Sequence, residues 1–255
     1  MKDTEIFYFD VDGTLLDNTY HKIPKSTKTS LLQLKALGYK LALCTGRNLQ
    51  GILEVEDLNF MDWDAYVLAN GSLLLDKDKN IVEEIIFDPQ LIHDLDSFIA
   101  GPLLLEGDEN FITKKANNAM NEAFQHFGIE GYPVRQYNNE KVFNLICYSF
   151  DEITEPMLST VLSMTQTAKD QLGNTEMMPA TSGKHNGVLT MNAHLRLSKH
   201  VAFGDGENDV LFLQEAPISV AMGNGVQRAQ DVATHTTSNV DEDGIFKALK
   251  HFGVL

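Results

Sequence analysis

The chain predicts an α/β fold: a parallel sheet flanked by helices, with a separate α+β unit inserted into its sequence. Three observations carry this. The first 70 residues alternate short apolar runs with helical patterns in the order β-α-β-α-β. From about residue 88 to residue 178 that strict alternation is lost. It returns near Asn186 and continues to the end of the chain.

The elements follow in order. Residues 5–10 (EIFYFD) read as a buried strand. Ser26 is placed to cap a helix carrying Leu31, Leu34 and Leu37, closed by Gly38. Residues 39–44 (YKLALC) form the next strand, residues 49–58 a helix, and residues 65–69 (AYVLA) a third strand. Residues 72–87 read as two strands around the polar turn DKDKN. Asp76, Asp78 and Asn80 start like a calcium loop, but Ile81 stands where a glycine is needed, so this is a solvated turn. Within the insertion, residues 141–148 (KVFNLICY) predict a strand. A helix from about Asn186 leads to the strand at 200–204 (HVAFG), then a helix, and a strand at 218–222 (ISVAM). Asp241 is placed to cap a last helix bearing Ile245, Ala248, Leu249 and Phe252.

Composition narrows the function. The 255 residues are 43% hydrophobic, enough for a sizeable core. Asp and Glu number 36 against 20 Lys and Arg, a net charge of −16. Such a chain is a poor partner for nucleic-acid backbone and is repelled by anionic membranes. It shows no signal-type start and no run of about eighteen apolar residues. Cys44 and Cys147 both fall in apolar segments and read as reduced thiols, so the expected location is cytoplasmic. The default assembly is a monomer.

In open α/β sheets, ligands bind beyond the carboxyl ends of the strands. The first strand ends in Asp10, with Asp12 in the turn after it. The second ends in Thr45-Gly46-Arg47, the third in Asn70-Gly71, and a later one in Asp205-Gly206-Glu207-Asn208-Asp209. Carboxylates brought that close repel unless positive charge sits among them, and an all-oxygen donor set suits Mg2+. A carboxylate beside such a metal can attack phosphorus and split one hard step into two. Asp10 is the expected nucleophile. Asp12 is the expected acid and base, protonating the leaving alkoxide and later deprotonating water. Thr45, backbone N–H groups around Gly13 and Gly46, and a lysine would hold the phosphoryl oxygens.

These residues resemble the haloacid dehalogenase superfamily of aspartate-nucleophile phosphatases. Asp10-Val11-Asp12-Gly13-Thr14, Thr45-Gly46, a lysine, and Gly204-Asp205-Gly206-Glu207-Asn208-Asp209 match its four motifs in order. Ala221-Met222-Gly223-Asn224 and Asp241-Glu242-Asp243-Gly244-Ile245 are similar to its Cof-like branch. The resemblance implies a Rossmann-like core and hydrolysis of sugar phosphates and related small phosphate esters. It implies that Asp10, the backbone carbonyl of Asp12, and Asp205 bind Mg2+. It also implies that Asn208 touches phosphate and that Asp209 supports the metal without ligating it. Lys184 is the natural third-motif lysine, because it opens the helix before the fourth-motif strand; Lys199 is the alternative. Arg47 lies close enough to Thr45 to reach a substrate oxyanion.

The insertion sets the subfamily. Only 32 residues separate Asp12 from Thr45, too few for a cap, whereas about a hundred separate Asn70 from Lys184. The resemblance places an α+β cap of the C2B type there, at residues 82–182, with the core formed by residues 1–81 and 183–255. Glu109, Asn110, Lys114 and Arg135 are its candidate substrate contacts. The resemblance also implies hydrolysis over a phosphomutase, because the mutases similar to these enzymes carry their cap in the earlier gap. A phospho-acceptor signalling domain of this kind is about half as long. A catalytically silent phosphate-ester-binding module would not need the acid–base Asp12.

Overall fold

The structure, a computed structural model, describes residues 4–170 and 172–255. The chain begins with β1 (Ile6–Phe9), α1 (Lys25–Ala36), β2 (Lys40–Cys44), α2 (Leu49–Leu53), β3 (Ala65–Leu68), β4 (Leu73–Asp76) and β5 (Ile81–Glu84). It continues through α3 (Pro89–Phe98), β6 (Leu103–Gly107), β7 (Phe111–Ile112), α4 (Asn118–Phe127), β8 (Val142–Cys147), α5 (Met157–Met164), β9 (Thr165–Lys169) and β10 (Thr175–Pro179). It closes with α6 (Lys184–Leu195), β11 (His200–Gly204), α7 (Val210–Glu215), β12 (Ile218–Ala221), α8 (Gln227–Val232), β13 (His235–Thr236) and α9 (Gly244–His251).

Two sheets result. One has the order β13-β12-β11-β1-β2-β3-β4-β5, parallel from β13 to β3 and antiparallel at β4 and β5. The other, β7-β6-β8-β10-β9, is antiparallel and lies wholly within the insertion. The parallel sheet is buried on both faces, as the continuous apolar character of β1 demands. Phe7, Phe9 and Phe203 pack with Leu31 and Leu34 of α1 and Leu249 of α9. Ile6, Tyr8 and Ala202, pointing the other way, pack with Val188 and Met191 of α6 and Phe212 of α7. No described helix is long and apolar enough to cross a membrane.

Several boundaries differ from the sequence reading. The core sheet runs on to Glu84, past residue 81. The helix expected over 49–58 stops at Leu53 and resumes as a 3-10 turn, Glu56–Phe60. Ser26 is not a cap: α1 starts at Lys25 behind Pro24, whose fixed φ of −55° leads the chain in, and Ser26 Oγ is buried without a partner. Asp241 does not cap the last helix either. It lies in the turn Val240–Glu242, where the backbone carbonyl of Asn239 takes the N–H groups of Glu242 and Gly244. The helix expected from Asn186 begins two residues earlier, at Lys184.

Candidate active site

Register decides what gathers. Phe9 lies opposite both Leu43 and Phe203, so β1, β2 and β11 end at one level. The residues just beyond them, Asp10, Thr45 and Asp205, leave the sheet at the same edge. Asp10 N–H donates to Phe203 O and Thr45 N–H to Val67 O, each at 2.9 Å, which holds both residues to the sheet as they depart.

Lys184, the first residue of α6, stands between two of the carboxylates. Its Nζ is 2.7 Å from Asp10 Oδ1 and 2.6 Å from Asp209 Oδ1, and all three side chains are buried. The other oxygen of Asp209 accepts the backbone N–H groups of Asp205 and Gly206 at 2.9 Å, so Asp209 ties the loop after β11 to the lysine. Thr14 Oγ1 donates to Asp205 Oδ1 at 2.8 Å. Gly13, at φ +82°, passes so close to Asp205 that a Cβ there would collide with its carboxylate. Lys199, the alternative lysine, starts at the opposite end of β11.

Arg47 grips Asp12. Nε reaches Oδ2 and Nη2 reaches Oδ1, both at 2.7 Å, in the parallel fork that suits guanidinium and carboxylate. Asp12 is accordingly held below the usual carboxylate range despite its burial. Asp10 behaves oppositely. Burial pushes it up to about 7 against the opposing pull of Lys184. Burial, with Asp10 and Asp209 nearby, raises Asp205 well above its ordinary value. Ligand oxygens of Asp10, Asp205 and Asp209 lie within 4.8 Å of one another. Three buried carboxylates against one lysine leave negative charge uncompensated, and the donors are all oxygen. The residues therefore fit a hard divalent cation.

Thr45 Oγ1 accepts the backbone N–H of Arg47 at 3.2 Å, and Asn208 Nδ2 donates to Asn70 Oδ1 at 2.9 Å. Asp10, Asp12, Thr45, Gly46, Arg47, Asp205 and Asn208 all line one cavity of about 410 Å3, with Lys184 behind its floor. The sequence reading passed over Asn224 as a site residue. Its Nδ2 donates to Gly13 O and its Oδ1 accepts from Val240 N–H, both at 2.8 Å, pinning the loop after β1 to the C-terminal segment.

The insertion forms the cavity's other wall. Of the four cap residues singled out in sequence, none lines it. Glu109 is exposed, and Arg135 pairs with Glu140 over the Phe111 ring. Lys114 binds the carbonyls of Asp96 and Ile99, and Asn110 bonds to Asn48 of the core. The lining side chains instead include Glu106 and Glu176, with Lys169, Asp170, Leu104, Phe127, Ile129, Tyr132, Ile146 and Tyr148. A signal for the first two existed: each is a lone acid inside an apolar strand, LLLEG and TEMMP.

The family model described as haloacid dehalogenase-like hydrolase matches residues 7–249. The Bacillus subtilis protein YkrA is 26% identical, over 99% of this chain and 99% of its own length. The Bacillus subtilis 5-amino-6-(5-phospho-D-ribitylamino)uracil phosphatase YcsE is 26% identical, over 98% of this chain and 96% of its own. Among solved structures, the HAD subclass IIB sugar phosphatase BT4131 superposes with a TM-score of 0.85 at 25% identity, covering 99% of this chain and 100% of that one.

Proposed function

The chain belongs to the haloacid dehalogenase-like hydrolases, as a phosphatase of the Cof-like type, and from that premise we propose that it hydrolyses small phosphate monoesters, sugar phosphates foremost, through a phosphoryl group carried on Asp10. The observation that carries the reading is the placement of Asp10: one carboxylate oxygen is fixed by Lys184, and the residue lines a cavity sized for a small metabolite. Asp10 attacks phosphorus, the P–O bond to the leaving group breaks, and Asp12 gives its proton to the departing alkoxide. Asp12 then takes a proton from water, which attacks the acyl phosphate, releases inorganic phosphate and restores Asp10. One bond of the Arg47 fork must give way for Asp12 to carry a proton, while the other keeps the carboxyl in place. Thr45, Asn208 and the backbone around Gly13 and Gly46 hold the phosphoryl oxygens, and Lys184 neutralises charge beside the nucleophile.

Asp10, Asp205 and the backbone carbonyl of Asp12 would hold Mg2+, and Asp209 would steady the loop that carries Asp205. Bound there, Mg2+ supplies positive charge toward the phosphoryl oxygens. The names of the two relatives, a ribitylamino-uracil phosphatase and a sugar phosphatase, support a small phosphorylated metabolite as substrate.

The test is phosphate release from p-nitrophenyl phosphate and a panel of sugar phosphates, with Mg2+ and with EDTA, by wild type and Asp10→Asn. Metal-dependent release that disappears in Asp10→Asn supports the reading. No release from any ester by folded wild type overturns it.

A further inference from the structure

We propose that Glu106 and Glu176 of the cap select a leaving group that carries a protonated amine, so that the preferred substrate is a zwitterionic aminophosphomonoester. This rests on the phosphatase reading above and names the substrate class for the same cavity.

The two carboxylates form a built site. Glu106 on β6 lies directly opposite Asn144 on β8, and Glu176 projects from β10 on the other side of β8. Asn144 is fully buried. Its Nδ2 donates to Glu106 Oε2 at 2.7 Å and to Glu176 Oε1 at 2.9 Å, while its Oδ1 is buried with no partner. Each carboxylate has two acceptor oxygens, Asn144 serves one on each, and both acids line the cavity, so a donor on the bound molecule can reach them. Among the described residues neither carboxylate forms an ion pair. Burial pushes Glu106 up to about 7 against the hydrogen bond from Asn144 and the pull of Arg47, and it raises Glu176 against the hydrogen bonds from Asn144 and Asn70 and the pull of Lys184. A ligand ammonium would give the two acids the direct ion pair that neither makes.

The rest of the cavity points the same way. Among its described lining residues the basic side chains are Arg47, held by a carboxylate, and Lys169, bonded to a neutral hydroxyl. Arg47 holds Asp12; Lys169 donates to Thr175 Oγ1 at 2.6 Å and lies 5.4 Å from the Phe150 ring centre. A second anionic group beside the two glutamates would meet like charge, and Arg47, the cation that acts on Glu106, is already held by Asp12. Tyr132, Tyr148 and Phe127 give the cavity aromatic walls, whose faces tolerate an ammonium. Glu176 Oε1 lies 2.9 Å from where a Gly46 side chain would begin, next to Thr45. The acid pair is therefore adjacent to the phosphate end, and the amine belongs a few bonds from the ester oxygen.

The experiment compares kcat/KM for glucosamine 6-phosphate, glucose 6-phosphate and N-acetylglucosamine 6-phosphate in wild type, Glu106→Gln and Glu176→Gln. p-Nitrophenyl phosphate is run in parallel. The expected result is a preference of at least about tenfold for the free amine over both neutral esters, falling toward parity in each Gln variant. Equal rates on amine and hydroxyl esters overturn the proposal. So does a preference that survives both substitutions, or variants that lower all esters alike, as a structural role would. Turnover of p-nitrophenyl phosphate without amine preference removes this inference and leaves the phosphatase reading standing. Thermal upshift of Asp10→Asn by the same three esters reads the preference independently of turnover, and an amine ester that shifts no more than glucose 6-phosphate counts against it.

Discussion

Arg47 holds both carboxylate oxygens of Asp12, through two parallel N–H···O bonds of 2.7 Å. The pair is partly buried, with Arg47 17% and Asp12 23% exposed, so water screens it little. The arginine thereby fixes the carboxylate that stands two residues from the nucleophile. A lysine would offer a point charge without the fork. Arg47→Lys is expected to lower kcat/KM on p-nitrophenyl phosphate by about tenfold or more, since misplacing an acid–base group by an ångström is costly. Wild-type turnover in Arg47→Lys would show that charge alone suffices.

Lys184 pairs with two members of a buried trio of carboxylates, Asp10 and Asp209. Removing one partner of a buried ion pair leaves charge without compensation, at a cost of about 3–5 kcal/mol. Lys184→Met should lose stability of that order in urea unfolding and should lose turnover with it. A loss below about 1 kcal/mol, in the range of exposed pairs, would mean that the carboxylates are not held ionised by the lysine.

Gly13 and Gly38 both adopt left-handed backbone, at φ +82° and +90°, but differ in what surrounds them. A Cβ at Gly38 meets nothing within 4 Å, whereas one at Gly13 strikes the Asp205 carboxylate. Gly38→Ala should cost about 1 kcal/mol through backbone strain and leave turnover intact. Gly13→Ala should add the displacement of Asp205 and abolish turnover. Equal activities in the two variants would contradict the close packing of the loop after β1 on Asp205.

His200 is buried at the start of β11, edge-on to Tyr8, with Nδ1 3.1 Å from Asn192 Nδ2. Burial lowers its pKa from 6.5 to about 4. The unfolded chain therefore binds a proton through pH 6.5 that the folded chain refuses until about pH 4. Stability falls as pH drops across that window, and this group adds no slope above it. In His200→Gln the part of the Tm decline between pH 6.5 and 4 that belongs to this residue should vanish. An unchanged Tm–pH curve would place the acid sensitivity elsewhere.

The core of the site was legible because it hangs on strand ends. Once residues 5–10, 39–44 and 200–204 read as buried parallel strands, Asp10, Thr45 and Asp205 had to share an edge, and the structure gathers them there. Lys184 was legible as the opening of the helix before β11, although the helix was expected to start at Asn186. The cap side of the cavity was not legible. Glu106, Asn144 and Glu176 meet only through the pairing of three antiparallel strands, a long-range register that no local pattern encodes. The choice of Glu109, Asn110, Lys114 and Arg135 followed residue type in polar segments; Lys114 is spent on the cap's own backbone, Arg135 on Glu140 and Asn110 on the core, and Glu109 stands exposed. Ser26 and Asp241 failed as caps for a related reason: a neighbouring proline or backbone carbonyl had already done the work.

The most direct measurement asks which atom carries the phosphoryl group. Wild type would be acid-quenched during steady-state turnover of p-nitrophenyl phosphate with Mg2+, reduced with borohydride, digested and mapped by mass spectrometry. An acyl phosphate reduces to the alcohol, so the account predicts homoserine in place of Asp10, in the peptide containing Phe9 and Val11, and no such change without substrate. Reduction at another carboxylate, or an unmodified Asp10 in enzyme quenched during active turnover, would contradict it.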